Sequence, residues 1–376
     1  MRRIAAALVV ALACCTSAPA APSPAPSAAS QRAVPSATVL PSSGLGTLTK
    51  LADGTLVVSV PDCTSTTQGG AIAGCEVFEA AADRAVFVAI LRTTAGMFEA
   101  RSIDLASGEM RVLRPRADVG MHVADVRGQY AIIEEDDVFG GGSTHARLLR
   151  IPWADPAHAE VLDEIDLVGL GGGDTWNPWP AAKTNGRETV WLHAGGLVLP
   201  HQVMLQSADG TKQSIFETDK PVFFDVDESG RVAIASPPSS PNPPVTQELS
   251  LYASGSIRRI ASRPIEQSGY AMSFSKTIGW TLGTGAVRFI DGVELIPVAG
   301  GASKTIKPDA GCLSAGRTAN DIVSVCPSGV RLVDAASGSS RAGPPSRIVL
   351  VSRGALLWRT AADLAANPQV YRITPQ

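Results

Sequence analysis

From residue 46 onward, apolar positions come in short bursts or alternate with polar ones. Residues 56–60, 85–91, 130–133, 231–235 and 348–351 are rich in β-branched side chains and are bounded by Gly, Asp, Asn and Pro. A two-residue period with that punctuation predicts strands joined by turns. No stretch keeps a helical period for three turns, and residues 361–366 have room for one helical turn at most. The predicted class is all-β.

A hairpin pattern recurs along this stretch. Residues 101–113 read Arg-Ser-Ile-Asp-Leu-Ala-Ser-Gly-Glu-Met-Arg-Val-Leu, a strand, a small polar turn and a second strand. Comparable hairpins lie at 148–162, 203–216, 249–260, 287–296 and 330–338. Their turns fall near Gly108, Asp155, Gly210, Gly255, Gly292 and Gly338, at spacings of 47, 55, 45, 37 and 46 residues. Two further strands fit between successive hairpins, as at 121–126 and 129–133. A period of this length with four strands per unit predicts a β-propeller. Six units fill residues 76–343, and three strands remain at 347–352, 355–360 and 369–374. The missing fourth is supplied by residues 55–60, because an open sheet edge would template aggregation. The expectation is seven four-stranded blades closed by an N-terminal strand, with six or eight still compatible with the unit borders. A pair of β-sandwiches would leave the regular spacing without a cause.

This architecture resembles the propeller domains of exported bacterial lipoproteins, including the TolB-like group, over residues 46–376. The Ser-Pro-Asp-Gly turns common in that group are missing, and no Trp-Asp or Gly-His signature recurs, so no functional residue carries over.

The first 45 residues have a different composition. Arg2 and Arg3 precede an apolar run from residue 4 to 13, the length of a signal core and too short to span a bilayer. Leu12-Ala13-Cys14 resembles the lipobox of bacterial lipoproteins, in which the cysteine is lipidated and becomes the new N-terminus. The resemblance makes residues 1–14 a signal peptide ending at the lipobox, with Cys14 the lipidated residue. Ala18-Pro19-Ala20 fits ordinary secretory cleavage and keeps plain secretion open. Both routes put the mature chain outside the cytoplasm. Residues 15–45, almost all Ala, Pro, Ser and Thr, predict a disordered tether ahead of a propeller domain at 46–376.

Composition narrows the partners. Hydrophobic residues make up 45% of the chain and charged ones 18%, too apolar for a disordered chain, while 36 Gly and 27 Pro are too many for a helical bundle. The 32 basic residues are scattered and net charge is −3, which argues against a nucleic-acid surface. Beyond Cys14 and Cys15, an even set of four cysteines in an exported chain points to disulfides. Cys312 and Cys326 flank a turn at 318–321 and would face each other across a hairpin. Cys63 and Cys75 would close a Gly-rich loop. Without a Cys-x-x-Cys pair or a neighbouring His, a metal site is not expected.

Candidate chemistry is sparse. Gly-x-Ser-x-Gly and His-Glu-x-x-His are both missing, and the five histidines are His122, His145, His158, His193 and His201. Ser143 with His145, or His193 with Asp174, are the first places to seek a triad assembled across blades. Residues 134–137 (Glu-Glu-Asp-Asp) read as a solvated charged run in which at most two carboxylates converge on a cation. Residues 225–230 (Asp-Val-Asp-Glu-Ser-Gly) start like a calcium loop but have Ser236 where a bidentate Glu is needed, and so predict a hairpin turn. Residues 169–174 lack the last glycine of a dinucleotide fingerprint. No cofactor is expected.

In a four-stranded blade, loops between the second and third strands share one face with the junctions between blades. Four long segments, 136–145, 169–180, 193–201 and 236–246, should gather on one sector of that face. Long loops on a rigid scaffold commonly carry binding. Trp176 and Trp179, with Asp174, Asn177 and His193, form the expected ligand site, the rings acting as stacking platforms. The dull alternative has the rings packed between blades. The expected function is a membrane-tethered, extracytoplasmic, monomeric binding or scaffold module for a protein, peptide or glycan. A propeller-based hydrolase, lyase or dehydrogenase is the alternative.

Overall fold

The computed structural model describes residues 38–40, 47–60, 76–136, 145–166, 182–195, 198–220, 222–238, 246–264, 267–268, 271–272, 278–281, 285–289, 292–346, 348–366 and 369–376. Residues 36–376 form one compact unit. It is an all-β propeller. Six antiparallel four-stranded sheets follow one another in chain order: blade 1 at 76–117, blade 2 at 120–166, blade 3 at 182–218, blade 4 at 223–264, blade 5 at 278–306 and blade 6 at 313–342. A two-stranded ribbon, Gln267–Ser268 with Ala271–Met272, lies between blades 4 and 5 in sequence.

Both ends of the chain meet in one terminal sheet. Ile348–Val351, Ala355–Arg359 and Gln369–Pro375 are its inner three strands, and Leu56–Val60 pairs with Gln369–Pro375. The closing strand read from the sequence is therefore in place. The sheet then continues outward through Thr47–Lys50 and Thr38–Leu40 to six strands. This corrects the expectation of seven four-stranded blades to six. The strands left over at the two chain ends do not make another regular blade but this broader sheet. Its outermost strand, Thr38–Leu40, falls within the stretch assigned to the tether.

Burial of both faces of the blades makes the ring cohere. Residues on opposite faces of each blade pack against different neighbours. Phe87, Ala89 and Leu91 join Leu48, Leu56 and Val58 in the seam with the terminal sheet, while Val86, Val88 and Ile90 join Met121 and Ile133 in the seam with blade 2. Trp191 fills the seam between blades 2 and 3 with Ile132, Leu148 and Leu162. Each fully buried large apolar side chain contributes roughly 1.5–3 kcal/mol.

Blade 6 carries a disulfide between Cys312 and Cys326, 14 residues apart, as the hairpin around 318–321 requires. Closing so short a loop stabilises the fold by about 3 kcal/mol in the chain-entropy view. Cys63 and Cys75 lie outside the described residues, as does Cys14. A single helical turn, Ala361–Ala365, is capped reciprocally by Thr360 and Asp363.

Two local readings change. Gly292 sits between the second and third strands of blade 5, Gly285–Phe289 and Val293–Ile296, not between the third and fourth. The strands of that blade are only three to five residues long, so its hairpins are interchangeable by pattern. Residues 193–201 are mainly strand, not a long loop, because Thr189–Gly195 and Val198–Gln206 leave two residues between them.

Candidate functional site

The second strand of blade 3, Thr189–Gly195, runs toward the face that carries the second-to-third-strand loops. Trp191 and His193 are two residues apart and so project from the same face of this strand. That face meets Glu160–Asp166, the outermost strand of blade 2. There Asp163 accepts a hydrogen bond from Trp191 Nε1 at 2.8 Å, and the same Oδ2 lies 2.7 Å from His193 Nδ1. The indole is buried, so the carboxylate is held from a fixed position. His193 keeps 43% of its side chain exposed and Asp163 only 12%. With Nδ1 engaged, Nε2 is the nitrogen His193 can offer to a ligand.

The electrostatics follow from this geometry. The hydrogen bond to Asp163 raises the His193 pKa above the ordinary histidine value, against an opposing effect of burial. Burial pushes Asp163 upward, but hydrogen bonds from His193 and Trp191 outweigh it and the carboxyl titrates below its ordinary value. The imidazolium–carboxylate pair therefore favours the fold below the ordinary histidine pKa and loses that contribution as pH rises through the raised value. Asp163→Asn should return the His193 titration toward or below the ordinary value, read from its ring-proton shifts by NMR. An unchanged midpoint would show that Asp163 does not hold the ring.

A second cluster lies where the innermost strands of blades 1 and 2, Glu76–Ala82 and Gly120–Arg127, run side by side. His122 Nδ1 is 3.4 Å from Glu79 and its Nε2 is 4.0 Å from Asp136. The Glu79 hydrogen bond raises the His122 pKa, and the charges of Glu79, Glu134 and Asp136 act in the same direction. Phe78 packs edge-on against both Phe98 and His122. The run at 134–136 is not a solvated face. Glu134, Glu135 and Asp136 are at most 9% exposed, because their strand lies inside blade 2. Arg114 and Arg147, one on either side, clamp Glu135.

At the opposite end of the ring the first-to-second-strand turns converge on the axis. Arg127 of blade 2 pairs with Glu228 of blade 4. Arg353 of the terminal sheet pairs with Asp225 at 2.5 Å and reaches Glu228 at 3.8 Å. Residues 227–231 form the expected turn, with Asp227 Oδ1 accepting from the backbone N–H of Ser229 and Arg231. Gly128 and Gly186 bring two of these turns into contact. A methyl on Gly128, which has a φ of +56°, would stand 3.0 Å from Gly186 Cα.

Of the ligand-site residues expected from sequence, only His193 falls within the described residues; Asp174, Trp176, Asn177 and Trp179 lie outside them, as does Ser143. His193 is brought to Asp163. His201, on Val198–Gln206, has a pKa lowered by burial. His158 is exposed and bonds Asp155. Among the described residues, no group of three or more His, Cys, Asp or Glu side chains is arranged to hold a metal. Sequence reasoning missed Asp163 and Trp191. The Trp-x-His alternation was a usable signal for a shared face, but the acid lies 30 residues earlier on another blade.

No known family's sequence profile matches the chain, and no curated protein matches it. Solved structures do share its fold. A prolyl endopeptidase aligns with a TM-score of 0.50 and 11% identity over 76% of this chain and 46% of its own. The chain thus spans about half the length of that enzyme. TolB from Acinetobacter baumannii gives 0.40 and 11%, covering 79% and 78% of the two chains. The β-propeller domain of the Trilobed protease from Pyrococcus furiosus gives 0.43 and 12%, covering 81% and 97%. At such identities the likeness extends to the fold alone.

Proposed function

We propose that this protein is an exported, membrane-tethered propeller that binds a protein, peptide or glycan through the face carrying the second-to-third-strand loops. The observation that carries this reading is His193, held by Asp163 and Trp191 with Nε2 left for a ligand. It sits on the seam between blades 2 and 3. The opposite end of the ring is crossed by ion pairs on the axis, whereas His193 keeps part of its ring exposed on its own face. Tethering rests on Leu12-Ala13-Cys14 and the Pro/Ala/Ser stretch behind it, and export gains support from the Cys312–Cys326 bridge. Among the described residues, no helix is long and apolar enough to cross a membrane.

An enzymatic reading has one specific observation in its favour. A histidine oriented by a carboxylate is also the arrangement of a general base. A base needs a group to deprotonate, and no Ser, Thr or Cys side chain is hydrogen-bonded to His193 among the described residues.

The test is capture from a cell-envelope extract with the soluble domain. His193→Ala and Trp176→Ala or Trp179→Ala should each release the captured partner, weakening binding by about 2 kcal/mol where an anchor is lost. Asp209→Ala, on a third-to-fourth-strand turn of the opposite face, should retain it. Retention by all three face variants, with loss in Asp209→Ala, would overturn the face assignment.

A further inference from the structure

We propose that blade 2 is latched into the ring by two histidine–carboxylate pairs, one on each of its seams, and that the latch loosens as the surroundings turn from acidic to alkaline. The device stands on contacts within the ring and does not depend on what binds at the His193 face.

The two pairs are placed alike. On the seam with blade 1, His122 of Gly120–Arg127 brings Nδ1 to 3.4 Å from Glu79 of Glu76–Ala82. On the seam with blade 3, His193 of Thr189–Gly195 brings Nδ1 to 2.7 Å from Asp163 of Glu160–Asp166. Blade 2 thus supplies the imidazole on one side and the carboxylate on the other. His122 lies near the start of an innermost strand and His193 near the end of a second strand. Innermost and second strands run antiparallel, so both pairs lie toward the face of the second-to-third-strand loops. A strand irregularity aims the blade 1 carboxylate. Neighbours in a regular strand point to opposite faces, but the register with Val86–Arg92 shifts between Val77 and Glu79. Phe78 can therefore pack on His122 while Glu79 meets the same imidazole and accepts from the Val123 N–H. Bulges re-aim side chains in this way.

The charged surroundings of each imidazole are mixed. Around His122 stand the carboxylates of Glu79, Glu134 and Asp136, with Arg92 beyond Phe78 and Lys183 on the adjoining innermost strand of blade 3. Around His193 stand Asp163 and its neighbour Glu164 on blade 2, and Glu217, reached through Gln202, with His201 beside that glutamine. Elsewhere, links between adjacent blades use guanidiniums. Arg114 meets Glu135 across the first of these seams, and Arg263 meets Glu294 between blades 4 and 5. A guanidinium keeps its charge over the whole range in which histidine titrates.

The sign of the effect follows from linkage. Both imidazoles titrate above the ordinary histidine value, each chiefly through its hydrogen bond to the carboxylate across the seam. Their contribution is whole below the ordinary value and is lost as pH rises through the raised one. Asp163 titrates below its ordinary value, so its carboxylate stays charged through that window. His201 acts oppositely. Burial lowers its pKa, so its protonation costs stability in acid. Two gains against one cost leave the ring more stable in acid, and the two gains are the ones that join blades.

Urea unfolding of the compact unit, residues 36–376, tests this at about pH 5.5 and about pH 8.5, on either side of the histidine range. The midpoint should be lower at the higher pH by about 0.3 M, a small figure because both imidazoles are partly exposed. His122→Gln and His193→Gln should each remove about half of that difference, and the double variant should abolish or reverse it. His201→Gln should widen it. His158→Gln, whose imidazole pairs with Asp155 inside one blade, should leave it unchanged. Glutamine keeps a donor for each carboxylate, so the variants should fold, and Glu79→Gln with Asp163→Asn replaces the double variant if it does not. Amide hydrogen exchange, corrected for intrinsic rates, should show protection of Gly120–Arg127 and Glu160–Asp166 falling at the higher pH while that of Val232–Ser236 in blade 4 holds. Equal midpoints, a difference that survives in the double variant, or a loss of protection as large in blade 4 as in blade 2 would overturn the proposal.

Discussion

A chain that begins at residue 61 will not form a closed monomeric ring. The deletion removes Leu56–Val60, which lies between Thr47–Lys50 and Gln369–Pro375, and with it the only hydrogen-bonded link between the two ends of the described chain. It also removes Leu48, Leu56, Val58 and Val60, all buried against Phe87, Ala89, Leu91 and Ile373. At about 2 kcal/mol for each buried side chain the loss is about 8 kcal/mol, as large as the whole stability of many domains. Gln369–Pro375 would then present a free edge to other chains. Size-exclusion chromatography with light scattering should find oligomers, and calorimetry should find no cooperative transition near the wild-type melting temperature. A chain starting at residue 38 keeps all six strands of the terminal sheet and should behave as wild type. A monomer from residue 61 with an unshifted melting temperature would show that closure lies elsewhere.

The features legible in the sequence are those decided by neighbours along the chain. Short apolar runs at 85–91 and 231–235 specify strands, and the turn at 318–321 puts Cys312 opposite Cys326. Even the closing strand was legible, because three strands left over after 343 require a fourth. Features decided between blades were not. Thr47–Lys50 has one buried apolar residue, Leu48, and becomes a strand because Leu56–Val60 offers it an edge. Glu134 to Asp136 look like a solvated run, yet the arginines that make burial tolerable for Glu135 stand 21 and 12 residues away. Asp163 and His193 meet only because the outermost strand of one blade lies on the second strand of the next. Pattern gives the number of strands well and their grouping less well, as Gly292 and the broad terminal sheet show. The binding residues expected at 174–179 sit on a junction whose length marks it, but length carries no geometry.

Replacing Glu228 by Ala should lower stability by about 3 kcal/mol, the low end for breaking a buried ion pair. Glu228 is 29% exposed, and solvent screening argues for that lower figure. Its carboxylate answers two guanidiniums at once, Arg127 and Arg353. Burial, and then repulsion from Arg353, lowers the Arg127 pKa to about 10, and the same two causes lower Arg317 to about 10. Both remain protonated at neutral pH, so three cations crowd the axis, and two of them, Arg127 and Arg353, pair with the acids of blade 4. Without Glu228, Arg127 loses its ion pair and Arg353 keeps Asp225 alone. Pairing the substitution with Arg127→Met removes the stranded charge and fills its volume with an apolar chain. The double variant should therefore recover at least half of the loss in urea unfolding, a recovery that simple loss of packing would not give. If the single variant unfolds at the wild-type urea midpoint, the cross-axis pairs made by Glu228 do not hold the ring together.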